Sequence, residues 1–164
     1  MATSKQYVNP EASKSFKASG GDKVLTLTSL ANGAGRYSDQ LDRGSGAHAA
    51  DYRVEVCVKA AAGLTVGASF EVYIATAETS NTLIDGNLGT TDGALVTDKR
   101  RNLRPVGQIS ADSTSSGELQ VASFPVRIES RYVTIAVWNA LGQALTGTAS
   151  DHYINLVPMP PENQ

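Results

Sequence analysis

Two short stretches constrain this chain more than anything else in it. Residues 52–59 read YRVEVCVK, so Val54, Val56 and Val58 alternate with Arg53, Glu55, Cys57 and Lys59. Residues 70–76 read FEVYIAT, with Phe70, Val72 and Ile74 on one side and Glu71, Tyr73 and Ala75 on the other. A period of two marks a half-buried strand, because successive side chains leave opposite faces of a sheet. Three apolar residues from each strand then form one side of a core. Glu55 and Glu71 fall on the polar faces of adjacent strands.

The same alternation recurs along the chain. Residues 22–30 (DKVLTLTSL) read as a strand, and Asn32–Gly33 supplies a turn that tolerates positive φ. Residues 36–43 (RYSDQLDR) make a poor core strip and read as an edge strand protected by its charges. Residues 103–110 form a strand that Pro105 confines to an edge or a bulge. Residues 118–128 and 131–139 are two more, the second β-branched and central. Residues 152–157 close the set by returning beside the first strand. Residues 79–102 form a long Gly-, Asn-, Thr- and Asp-rich loop, in which Asp85–Gly86 and Asp92–Gly93 pinch off a small hairpin. The expected fold is all-β: a two-sheet, jelly-roll-like sandwich of eight or nine strands over residues 22–164, with an N-terminal arm over residues 1–21. That arm is polar. Tyr7, Val8 and Phe16 are its only sizeable apolar groups, and a short strand around Phe16 is what would bury them.

A chain of 164 residues fits one domain and buries roughly 70% of its extended surface, so neither disulfide nor metal is needed to hold a core. A formal charge of −2 gives no electrostatic footprint for nucleic acid. The lone Cys57 forms no internal disulfide and reads as a small strand residue covered by a neighbour. No apolar run approaches the ~20 residues of a membrane span, and residues 1–21 lack the apolar segment of a signal peptide. The expectation is a protein that stays soluble in the cell that makes it.

Chemistry is thin. Nucleophile elbows, phosphate loops and zincin helices are missing from the sequence. His48 and His152 read as solvated surface residues. Glu55 and Glu71 raise the question of a glycosidase carboxylate pair, but pairing with Arg53, Lys59 or a neighbouring strand's cation accounts for them. Residues 85–93 (DGNLGTTDG) loosely resemble a calcium loop, yet position twelve is Val96 where a bidentate Glu is required. Lys99, Arg100 and Arg101, with Arg104 nearby, are the one concentrated charge, suited to a solvated loop end or an acidic protein surface. No catalytic, cofactor-binding or metal-ligating residue is assigned, and the chain reads as a non-enzyme.

Two blocks carry a family resemblance: residues 24–78, containing the Arg36–Tyr37–Ser38–Asp39 turn and strand, and residues 131–159, ending in Val157–Pro158. They resemble the small β-sandwich virion proteins of tailed bacteriophages, above all capsid decoration (cement) proteins. The resemblance implies a structural protein that binds the outer capsid surface, clamps neighbouring major capsid subunits and self-associates, with a trimer expected. The charge and the lack of a long apolar run lead to the expectation of no nucleic-acid or membrane partner. Candidate partner-binding residues are Tyr7, Val8 and Phe16 of the arm and Lys99, Arg100 and Arg101 of the loop end. The competing reading is a carbohydrate-binding jelly roll, lectin-like or a receptor-binding appendage, with Tyr37, Tyr73 and Tyr132 as stacking residues. A tail or neck virion protein of the same fold is a third option.

Overall fold

A computed structural model describes residues 11–46, 48–80 and 85–159. Among them are eleven strands: β1 (Lys14–Lys17), β2 (Lys23–Val24), β3 (Ala34–Tyr37), β4 (Leu41–Asp42), β5 (Asp51–Lys59), β6 (Ser69–Ala77), β7 (Gly93–Leu95), β8 (Arg104–Ser110), β9 (Leu119–Arg127), β10 (Tyr132–Ala140) and β11 (Tyr153–Pro158). One four-residue helix, α1 (Thr97–Arg100), and two 3-10 turns (Asp85–Asn87 and Ala149–Asp151) punctuate them. The strands form two sheets, ordered β2-β1-β11-β5-β9 and β7-β3-β10-β6-β8, with β4 continuing β3 alongside β10.

Three of the strands, β2, β4 and β7, are only two or three residues long. The other eight, counted along the chain, stack as first-eighth-third-sixth in one sheet and second-seventh-fourth-fifth in the other. That is the order of a jelly roll, in which each sheet interleaves early and late strands. The expected sandwich therefore holds, and the three short pieces account for the higher strand count. As expected, β11 returns beside β1, with Phe16 opposite Ile154. The β-branched β10 is central, flanked by β3 and β6.

One expectation is corrected at the centre of the fold. β5 and β6 belong to different sheets, because the chain between them crosses the sandwich. Val54, Val56 and Val58 therefore supply one wall of the core, and Phe70, Val72 and Ile74 the opposing wall. All six are fully buried. At about 25 cal/mol per Å² of apolar surface, such facing rows are the main favourable term in a sandwich. The expected strand over residues 22–30 shrinks to β2 for a related reason. Its chain must pass from the first sheet to β3 in the second, so Leu25 and Leu27 plug the core from irregular backbone.

The two long edge strands, β8 and β9, each carry a proline, Pro105 and Pro125. Proline removes a donor from an open edge and discourages pairing with another chain. Opposite Pro105 the ladder with β6 slips between Val72 and Tyr73.

Candidate interaction surfaces

The two outer faces of the sandwich differ. On the six-stranded sheet, the segment from residue 85 to 103 folds back over the surface, and Leu88, Leu95 and Leu103 bury with Ala75 and Ala136 into a second, smaller core. Tyr37, Tyr73 and Trp138 pack around it. The expected internal hairpin does not form. Residues 93–95 pair with β3 instead, which makes β3 an inner strand rather than the edge its charges suggested.

The Arg36–Asp39 tetrapeptide holds this segment down. Arg36 forms an ion pair with Asp92, whose Oδ1 also accepts the Thr26 N–H at 3.1 Å. Burial pushes the Asp92 carboxyl up, but the Arg36 and Thr26 hydrogen bonds outweigh it and hold the group below its ordinary value. Asp39 accepts the Asp92 N–H at 2.7 Å and the Val24 N–H at 3.3 Å. Ser38 Oγ accepts the Ile135 N–H at 3.1 Å. Gly93 fits against the Tyr37 hydroxyl so closely that a Cβ would sit 2.6 Å from it.

The cationic run is divided by this packing. Arg100 makes an ion pair with Glu71 at 3.1 Å and lies 4.4 Å from the Trp138 ring centroid. Lys99 Nζ donates to the Asn87 carbonyl at 2.7 Å. Arg101 alone of the three is exposed. Arg100 thus fastens the loop to its own sheet, and Lys99 ties the loop to itself. The loose calcium-loop likeness dissolves here too, since Asp85 accepts from the Thr76 N–H and hydroxyl while Asp92 serves Arg36.

At one end of the sandwich the N-terminal segment is pinned. Arg43 is buried and donates to the carbonyls of Ser130 (2.7 Å), Ile128 (3.2 Å) and Ala49 (2.5 Å) and to the Tyr52 hydroxyl (2.7 Å). The Tyr52 hydroxyl in turn donates to the Glu11 carboxylate. Burial, then the Glu11 hydrogen bond, push that phenol well above its usual range. The Met159 N–H donates to the Asp51 carbonyl at 2.8 Å, so both ends of the described chain sit at this end. Phe16 is 0% exposed, committed to the sandwich's own core rather than offered to a partner. Tyr7 and Val8 lie outside the described residues.

The titratable groups singled out in the sequence are dispersed. Glu55 and Glu71 sit on the outer faces of opposite sheets, Glu55 beside Arg53 at 2.6 Å, so they form no carboxylate pair. His48 is half-buried, with Nδ1 3.6 Å from Glu11 and Nε2 3.1 Å from the Gly44 carbonyl. His152 is 3% exposed, a correction to its surface reading, and its Nε2 lies 3.0 Å from the Thr146 carbonyl. Its strand-start position gave no hint of the turn at Ala149–Asp151 that packs beside it. Cys57 is 4% exposed and burial raises its thiol. Among the described residues no group of three or more His, Cys, Asp or Glu is placed to hold a metal ion, and no helix is long and apolar enough to cross a membrane.

The outer face of the five-stranded sheet has no such covering segment among the described residues. Its two shallow depressions meet at Tyr153, a residue the sequence reading passed over. Tyr37 and Tyr73 lie against the second core and Tyr132 is buried, so none is an open stacking platform. No protein-family model matches the chain, and a search of curated proteins finds no match.

Proposed function

We propose that this chain is a structural virion protein, a decoration protein that binds the outer surface of a tailed-phage head and stabilises contacts between major capsid subunits. The sequence resemblance motivates the reading. The observation that carries it is the convergence of both ends of the described chain at one end of a doubly cored sandwich, anchored through Glu11, Tyr52 and Arg43. A sandwich that gathers Glu11 and Met159 at one end suits repeated docking by that end on a symmetric shell, where many weak contacts add by multivalency. Its partners are the major capsid protein and copies of itself, as a trimer, and it resides on the virion exterior after assembly in the host cytoplasm.

Binding to purified unfilled heads tests this. Because residues 14–17 are a core strand, the clean truncation removes residues 1–10 only. Occupancy should fall at least tenfold, and undiminished occupancy overturns the role of the arm. Arg101→Ser tests the exposed cation separately, since Lys99 is engaged within the loop and Arg100 with Glu71.

A further inference from the structure

Register places four hydrogen-bonding side chains in one row across the outer face of the five-stranded sheet. Ser15 on β1 pairs with Asn155 on β11, Asn155 with Glu55 on β5, and Glu55 with Ser123 on β9. At the spacing of neighbouring strands the row is about 14 Å long. Two residues along each strand, on the same face, runs a second row, Tyr153–Cys57–Val121, with Val121 64% exposed. The depression on the β1 side holds about 490 Å³ and that on the β9 side about 580 Å³, and Tyr153 belongs to both. Ser15 and Arg53 are engaged with Asp22 and Glu55. Among the described residues, no hydrogen bond ties the side chains of Lys17, Ser19, Ser150 or Asn155, all at the first depression or its rim.

We propose that this face binds an oligosaccharide laid across the strands. A pyranose is amphipathic in the same way as the two rows: hydroxyls at its rim, C–H groups on its faces. Tyr153 and Val121 offer apolar contact to the ring faces, while Asn155, Glu55, Ser123 and Lys17 meet the hydroxyls. A protein partner is disfavoured because acidic and small polar side chains are depleted at protein interfaces, and here Glu55 and Ser123 line the depression. Nucleic acid is disfavoured because, among the described residues, Lys17 and the already paired Arg53 are the only lysine and arginine lining the depressions.

The test is an array of purified bacterial, plant and animal glycans probed with labelled full-length protein, its Tyr153→Ala and Asn155→Ala variants, and each variant's thermal midpoint. Wild type should bind at least one glycan, and Asn155→Ala, whose side chain makes no hydrogen bond among the described residues, should weaken that signal at least tenfold with little change in the midpoint. Silence of the wild type across the array overturns the proposal, as does binding indifferent to both substitutions. Loss of head binding by Asn155→Ala, with no glycan bound, gives the face to capsid protein instead. Retained head binding leaves the decoration reading standing whatever the array returns.

Discussion

The guanidinium of Arg100 lies 4.4 Å above the Trp138 ring while its Nη1 reaches Glu71 at 3.1 Å. A loop cation thereby joins the outer face of the six-stranded sheet at two points, on β10 and β6. Stacking over indole and a charge-assisted bond in a partly covered site make this a stronger fastening than an open surface pair.

Replacing Arg100 by Ala should therefore cost about 1–2 kcal/mol in urea unfolding. Proteolytic cleavage within residues 85–103 should also speed up. Arg100→Lys keeps the charge but loses the planar stack, so it should fall between. An unchanged midpoint for Arg100→Ala would show that the loop is held without it.

Gly35 sits where β3 passes beneath Trp138, and an added Cβ would lie 2.6 Å from both the Trp138 ring and the Val137 carbonyl oxygen. Backbone cannot yield as a flexible side chain does. Gly35→Ala should lose about 1–3 kcal/mol and shift Trp138 fluorescence as the indole is displaced. Wild-type stability with unchanged emission would contradict the packing described.

Asp92 links stability to pH. Its carboxyl is held below 3.8 in the folded chain despite burial, chiefly by Arg36 and then by the Thr26 N–H. A depressed folded value means the contribution is complete above the unfolded value near 4 and disappears as pH falls through the folded one. Asp22 and Asp42 are also depressed, by Ser15 and by Arg131 respectively. The difference between wild type and Asp92→Asn isolates one group. That variant should be less stable at pH 7, and the gap should close below pH 4. A gap constant from pH 7 to pH 3 would contradict the assignment.

Phe16 separates core from arm. Phe16→Ala should cost about 3–5 kcal/mol, as deletion of a buried aromatic does, whereas removing residues 1–10 leaves β1 in place. Equal thermal midpoints for Phe16→Ala and wild type would remove β1 from the sandwich.

How much of this was legible in the sequence depended on the range over which each feature is encoded. Alternation in β5, β6, β10 and β11 is local, so those strands, their buried faces and the all-β class could be read directly. Pairing is not local. Nothing within residues 52–76 says that the chain crosses between sheets, so the sequence puts Glu55 and Glu71 on neighbouring strands when they lie on opposite sheets. The loop shows the same limit. Its leucines, 88, 95 and 103, follow no strand or helix period because they answer to the surface beneath them, and Lys99 and Arg100 read as free charge until that surface is present. Tyr153 escaped notice because its significance comes from register with Cys57 and the neighbouring depressions.

The most direct test of the decoration reading is electron cryomicroscopy of the intact particle that carries this protein. The account predicts jelly-roll density on the outside of the head, seated where major capsid subunits meet, with the Glu11 and Met159 end turned toward the shell. Density confined to the tail or neck, or particles carrying none of this chain, would contradict it.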